Sequence, residues 1–344
     1  MSTFILVILE FSLSFKLTGM LWRYALDRKI MDVPNERSSH LVATPRGGGI
    51  AIVLTFLGAL PVLWLAEIIS SSVLLALVGT GFWVSLVGFL DDRGHIAARW
   101  RLMAHCLGAS WALAWLGGMP PLVVFGLLIE PNWFWHLVTI IYLIWMLNLY
   151  NFMDGIDGLA SLEAITVCLG GIVLYWLTEP NSIAWVLPAL LIAAVAGFLC
   201  WNFPPARIFM GDAGSGFLGI TLGILPIIAA RVQPELFWAW LVLLGVFVVD
   251  STTTLLRRVL RGHKIHEAHR SHAYQYLSRL MKAHRPVSLG VSFINLVWLL
   301  PIAIIIGKGY LDGFLGMLFA YLPLIGMAFY FKAGASELQE VMER

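Results

Sequence analysis

An all-α, polytopic membrane fold is predicted by three features of this 344-residue chain. Its residues are 60% hydrophobic and only 12% charged, where a soluble domain carries roughly 25% charged residues. Its mean hydropathy is +0.85. Apolar runs recur along its whole length, and no aqueous core could hide them all, so lipid must be the solvent. The net charge of +2 is too small for a nucleic-acid-binding surface. Cys106, Cys168 and Cys200 sit in apolar runs without CxxC pairing and read as small buried hydrophobes, not as disulfide partners or zinc ligands.

A bilayer-crossing helix needs about 20 mainly apolar residues, with roughly 17 tolerated, and eleven runs approach that length. The first, Phe4 to Tyr24, lacks a basic start and a small-residue cleavage site and carries Glu10 and Lys16, so it reads as a retained span and not a signal peptide. Gly49 to Leu65 and Val73 to Leu90 follow. The fourth run, Leu102 to Gly117, is interrupted by Gly117, Gly118, Pro120 and Pro121 before Leu122 to Ile129 continues it, which predicts a broken or partly re-entrant segment. Next come Trp133 to Tyr150, Leu159 to Leu177, Ile183 to Trp201, Ser215 to Ala230, Leu236 to Leu256, Val287 to Ile306 and Phe314 to Phe331. With about 11 transmembrane helices the termini lie on opposite sides. One set of loops, with the tail, holds 19 basic residues and the other set holds only Arg231 and Lys308. The positive-inside rule then puts the basic loops and the C-terminus in the cytoplasm and the N-terminus outside. With no linker and no internal repeat, residues 1–344 read as a single integral membrane domain.

The polar residues concentrate on the basic side. Asp91 and Asp92 end the third run. Asn148, Asn151, Asp154 and Asp157 end the fifth at intervals of three, a spacing that on a helix would offer their oxygens from one slowly drifting face. Asp212 precedes the eighth run between Gly211 and Gly214, where it could cap the helix while Gly214, Ser215 and Gly216 leave N–H groups free for an anion. His263, His266, His269 and His272 follow the ninth run in a basic loop. Carboxylates gathered at one membrane surface with glycines among them look like a site for a divalent cation and a phosphate. Plainer readings stand beside this one. Asp91-Asp92-Arg93 could be a solvated charge run, Asp212 a cap and nothing more, and the histidine loop a patch for anionic headgroups. His40, His95, His105, His136 and His284 each stand apart and read as ordinary structural residues. Asp250, about two turns before Arg257, could be its ion-pair partner.

Together these motifs resemble the polyprenyl-phosphate N-acetylhexosamine-1-phosphate transferases of glycosyltransferase family 4. That superfamily includes the undecaprenyl-phosphate GlcNAc-1-phosphate transferases and the phospho-MurNAc-pentapeptide translocase. The resemblance rests on Asp32 to His40 (DVPNERSSH), Thr44 to Gly49 (TPRGGG), Asp91-Asp92, Asn151 to Gly158, Gly211 to Ser215 and His269-Arg270-Ser271-His272, six motifs in family order over nearly the whole chain. It implies transfer of a sugar 1-phosphate from a UDP-N-acetylhexosamine to undecaprenyl phosphate, giving a lipid diphosphate sugar and UMP. It implies Mg2+, with Mn2+ as a substitute, held by Asp212 with Asn151 and Asp157. Asp91 and Asp92 match the pair that deprotonates or positions the lipid phosphate, and with Asp212 form the expected catalytic set. Arg46, Asn151, Asp154, Asp157, His269, Arg270 and His272 are the expected substrate contacts. Arg-Ser between two histidines departs from the three consecutive histidines of the translocase branch and looks more like the branch that starts O-antigen and related polysaccharides. The expected setting is a bacterial inner membrane with the site on its cytoplasmic face; the expected partners are membrane lipid, both substrates and, as a homodimer, a second copy of the chain.

Rival classes make different demands. An ion or lipid transporter would place ionisable groups near the bilayer midplane on discontinuous helices. A CDP-alcohol phosphotransferase would compress its acids into one motif on a helix pair, and a non-catalytic scaffold would have no need of Asp91, Asp92, Asp157 and Asp212 together.

Overall fold

A computed structural model of the chain describes residues 3–34, 40, 42–94, 96–263 and 270–335. Each of the eleven apolar runs carries a helix. They are α1 (Thr3–Asp27), α2 (Ile50–Leu65), α3 (Ser71–Gly94), α4 (Ala98–Trp115), α5 (Trp133–Met153), α6 (Leu159–Thr178), α7 (Val186–Asn202), α8 (Asp212–Val232), the pair α9 (Glu235–Leu243) and α10 (Gly245–Leu260), then α12 (Arg285–Ile294) with α13 (Leu300–Gly307), and α14 (Gly313–Tyr330). A short amphipathic helix, α11 (Ala273–Met281), lies in the loop after α10. Among the described residues, seven helices are long and apolar enough to cross a membrane, or eight when the bent pair α9–α10 is one span; α2 and α7 are shorter apolar helices. The chain is thus an all-helical integral membrane protein.

Three runs are not single straight helices. The fourth is broken, as expected: past α4 the chain turns at Gly117 and Gly118, both at positive φ, and residues 122–129 form an antiparallel hairpin of Leu122–Val124 with Leu127–Ile129, Leu122 opposite Ile129. Two prolines stop a helix there, and β-branched Val123 and Val124 lead into a two-residue turn at Phe125 and Gly126, both at positive φ. The indole N–H of Trp238 on α9 docks it by donating to the Val123 carbonyl at 2.8 Å. The ninth run is not one straight helix but bends by 70° between α9 and α10. The tenth carries a π-turn at Asn295–Leu299 just before Pro301, which has no N–H for the ordinary i−4 bond.

Helix α8 is the axis of the fold: every residue from Ala213 to Ala230 is buried. Helices α3 and α5 flank it, α4 packs outside α3, and α1 lies against α7 on the other side. Close approach rests on glycine. A Cβ on Gly88 of α3 would stand 2.6 Å from the backbone of Asp212 and Ala213. Gly88→Ala should therefore push α3 off α8 at a cost of about 1–3 kcal/mol. A lowered Tm in detergent would be the expected result, whereas Gly94→Ala, in open space, should melt like the wild type.

The division of basic residues gives a second expectation. In a background with all three cysteines replaced by alanine, Lys282→Cys should react with an impermeant thiol reagent only after the inner membrane is opened, and Lys308→Cys should react in intact spheroplasts; both positions are exposed. The reverse labelling would invert the orientation.

Candidate active site

The acids meet where the C-terminal ends of α3 and α5 reach the N-terminal end of α8. Helix α3 runs on past Leu90, so Asp91 and Asp92 sit on its last turn. Successive helical residues point in different directions, and the two acids part company. Asp92 turns to α8: its Oδ2 accepts the N–H of Asp212 at 3.1 Å, and its carboxylate also accepts the N–H of Ala213. Its Oδ1 lies 3.6 Å from the Arg46 guanidinium, which also donates to the Asp92 carbonyl. Asp91 turns to α4, where it pairs with Arg101 and accepts the N–H of Ile96 at 2.6 Å.

The expectation of free N–H groups at Gly214 and Ser215 is corrected here. Both donate to the Gly211 carbonyl at 3.1 Å, and the open donors ahead of them already face the Asp92 carboxylate. Nor does Asp212 serve as the cap; Gly211 holds that position with φ +79°. A side chain at Gly211 would have to adopt that left-handed backbone with its Cβ 2.9 Å from Asp92 Oδ2.

Arg46 arrives on a loop. The bond from Phe209 N–H to the Pro45 carbonyl (2.8 Å) and that from Gly48 N–H to the Phe209 carbonyl (2.9 Å) lay residues 45–49 alongside residues 209–210. Upstream, the two-residue ladder of Met31–Asp32 with Thr44–Pro45 holds the same loop in register.

The three-spaced acids do not ride one helix. Helix α5 ends at Met153, so Asn151 is helical, Asp154 caps the helix and Asp157 lies in the turn before α6. The turn nevertheless brings all three to one cavity of about 210 Å³, which Arg46, Asp92 and Asp212 also line. The Asn151 side chain bonds the Asp212 carboxylate. Asp157 has both oxygens engaged: Oδ2 accepts the Ala206 N–H at 3.0 Å, and Oδ1 lies 3.2 Å from His284 Nδ1. Asn148 instead donates to the Ile144 carbonyl at 2.7 Å. It lines a smaller adjoining cavity of about 130 Å³ with Asp91 and Arg101, and the two cavities share Asn151 and Asp212.

The histidine loop distributes differently. His269 lies outside the described residues. Arg270 accepts a bond from Arg279 at its carbonyl (3.0 Å) and is not among the residues lining the acid cavity. His272 is 3% exposed, its ring nitrogen 3.3 Å from Asp250 Oδ1. Asp250 also accepts the N–H groups of Ala273 (3.0 Å) and Tyr274 (3.1 Å). The intramembrane acid therefore anchors the start of α11; Arg257, its expected partner, goes to the Ala333 carbonyl. Conversely His284, read as a lone structural residue, lines the acid cavity. Only the fold could reveal this, because His284 meets Asp157 across 127 residues of sequence.

Burial, with Asp212, Asp92 and Asp157 nearby, holds the Asp154 carboxyl well above the usual carboxylate range. Carboxylates crowded in this way call for a cation. Among the described residues no three His, Cys, Asp or Glu side chains are grouped as a ready-made metal cage. Mg2+ does not require one: it is commonly held by one or two carboxylates, its own waters and substrate phosphates. The hard oxygen donors of Asp212 and Asn151, facing a cavity with Arg46 at its edge, fit that demand.

Apolar helices that gather acids, an amide and a guanidinium around one recess make a membrane-embedded protein with a charged cavity at one end of its helices. The model of the family described as glycosyl transferase family 4 matches residues 74–230, a stretch that carries all the carboxylates just described except Asp250. The undecaprenyl-phosphate alpha-N-acetylglucosaminyl 1-phosphate transferase of Thermotoga maritima is 28% identical over 284 residues, covering 83% of this chain and 85% of the relative. The decaprenyl-phosphate N-acetylglucosaminephosphotransferase of Mycobacterium tuberculosis is 29% identical over 292 residues (74% and 70%). The phospho-N-acetylmuramoyl-pentapeptide-transferase of Halalkalibacterium halodurans is 30% identical over 258 residues (68% and 75%). The chain belongs to glycosyl transferase family 4.

Proposed function

We propose that this protein transfers N-acetylhexosamine 1-phosphate from a UDP-sugar to undecaprenyl phosphate, releasing UMP, on the cytoplasmic face of a bacterial inner membrane. The observation that carries the reading is the single cavity joining Asp92, Asn151, Asp154, Asp157 and Asp212 with Arg46. Relatives named for polyprenyl-phosphate sugar phosphotransfer support the reaction class.

Two anions must be brought together for this chemistry, so positioning and charge compensation matter more than a strong base. An oxygen of the lipid phosphate forms a bond to the phosphorus that carries the sugar. The bridging P–O bond on the far side breaks, and its electron pair leaves with UMP. The lipid phosphate is already ionised, so no side chain need remove a proton. Bound Mg2+ would neutralise charge and polarise the diphosphate oxygens, and Asp212 and Asn151, with Asp157 beside them, are the residues to hold it. Arg46 stabilises the charge that builds on the diphosphate. Asp92 holds Arg46 and the start of α8 in one arrangement. Asp157 and His284 fix the turn that presents Asp154 and Asn151.

The spacing of His269 and His272 supports initiation of O-antigen or a related surface polysaccharide, and the loop from Arg257 to Arg285 supplies the groups that distinguish donor sugars. The test is a membrane assay with undecaprenyl phosphate and labelled UDP-N-acetylhexosamines. Label entering lipid with stoichiometric UMP is the expected result, and exchange of Ala273 to Tyr276 with a relative of different donor preference should shift the preferred sugar. No label in lipid from any donor, with cation flux or lipid transfer across reconstituted vesicles instead, would replace the transferase by a transporter.

A further inference from the structure

Away from the acid cavity, α6 carries a carboxyl shut off from water. Glu163 is fully buried, and beside it stands Asn295, 1% exposed, the first residue of the π-turn. Asn295 Nδ2 donates to Glu163 Oε2 at 2.6 Å and to Thr166 Oγ1 at 2.9 Å. Thr166 spends its own proton on carbonyls of its helix. Glu163 Oε1 and Asn295 Oδ1 are buried and have no hydrogen-bond partner among the described residues. No salt bridge among those residues reaches Glu163. Tyr150 and Tyr321, the ionisable groups whose fields couple to it, bring no positive charge.

Two orphaned acceptors on groups already joined by one hydrogen bond are strongly disfavoured in a water-free interior. A single proton removes both deficits. A carboxylic acid complements an amide: its O–H donates to the amide oxygen while the amide N–H donates to the other carboxyl oxygen.

The helices so joined are the ones that frame part of the acid cavity. Helix α6 starts directly after Asp157 and Gly158, and α12 starts directly after His284. At the cavity end they are tied by His284 on Asp157 and by Ser288 Oγ donating to the Asp157 carbonyl at 2.9 Å. Ser288, Ser292 and Asn295 follow at intervals of four and three, on one face. The second tie therefore lies about 10 Å further along the helix. Two ties fix the rotation and height of α12 where one would leave a hinge.

We propose that Glu163 is carried as the neutral acid, its Oε1 proton donated to Asn295 Oδ1, and that this acid–amide pair is the positioning device that seats His284 on Asp157. The positioning role rests on the reading of the acid cavity as the transfer site; the protonation does not.

Glu163→Gln preserves the complement, because a second amide also offers one N–H and one oxygen. It should transfer within about twofold of wild type. Glu163→Ala should lower kcat about tenfold or more, and Glu163→Ala combined with His284→Ala should be no slower than His284→Ala alone, because both act through one contact. Independently of turnover, the infrared difference spectrum of purified wild type minus Glu163→Gln should contain the C=O stretch of a protonated carboxyl. Absence of that band, with a carboxylate band in its place, would overturn the neutral pair. Loss of transfer in Glu163→Gln equal to that in Glu163→Ala, or additive effects in the double variant, would overturn the positioning role. A wild type without any sugar-phosphate transfer would sink the proposed function and the positioning role together, and the infrared result would still decide the pair.

Discussion

Replacing Asp212 by asparagine is expected to stop sugar-phosphate transfer while leaving the protein folded. The carboxylate stands at the first residue of α8, bonded by Asn151 and lining both the acid cavity and its smaller neighbour. Asparagine keeps the shape and one oxygen, so the helix start and its neighbours are retained. What disappears is the negative charge that a divalent cation would meet. Loss of such a group should lower kcat by on the order of 10²–10³-fold, with the remaining activity less responsive to added Mg2+. The measurement is transfer across a Mg2+ titration in membranes, alongside Tm in detergent. Near-normal turnover with an unchanged titration would remove Asp212 from the chemistry.

Asp92 gives the next largest effect and separates two roles of one side chain. It caps α8 from another helix through the N–H groups of Asp212 and Ala213, and it holds Arg46. Asp92→Asn keeps an oxygen for the cap and loses the charge that orients the guanidinium. Transfer should fall about 10- to 100-fold with Tm nearly unchanged. Asp92→Ala loses the cap as well, at a further cost of about 1 kcal/mol, and should melt earlier. If asparagine restores activity as fully as stability, the residue is a cap alone.

Much of the fold could be read from hydropathy, because the signal for a helix in lipid is simply a run of apolar residues of sufficient length. The runs at Trp133 and Leu159 became helices with bounds within about three residues of the expected ones. The departures arise where an apolar run is not one straight helix. Residues 122–129 form a hairpin, not a helix, although their composition is as apolar as that of a span, and Leu236 to Leu256 conceals a 70° bend because composition is blind to direction. For the site, Asp92, Asn151, Asp154, Asp157 and Asp212 could be picked out because acids and amides at the ends of apolar runs are costly to keep. Which way each points could not. Neighbouring Asp91 and Asp92 divide between α4 and α8 by helical geometry, and the cap that Asp92 gives α8 comes from 120 residues away. His272 and His284 exchange the roles their motifs suggested for the same reason: one finds Asp250 in the interior and the other finds Asp157 at the cavity. Both pairings depend on how α10, α11 and α12 pack, which no local spacing encodes.

The complete burial of α8 also has a mechanical meaning. Lipid presses on α1 and α14, whose apolar side chains are widely exposed, and a thicker or thinner bilayer would be met by their tilting or by local distortion of the membrane. No residue of α8 from Ala213 to Ala230 meets that pressure. The helix that carries Asp212 is a rod inside a sleeve, and lipid can reach the carboxylate at the end of the rod only through the sleeve, above all through α3, whose Asp92 holds the N–H of Asp212.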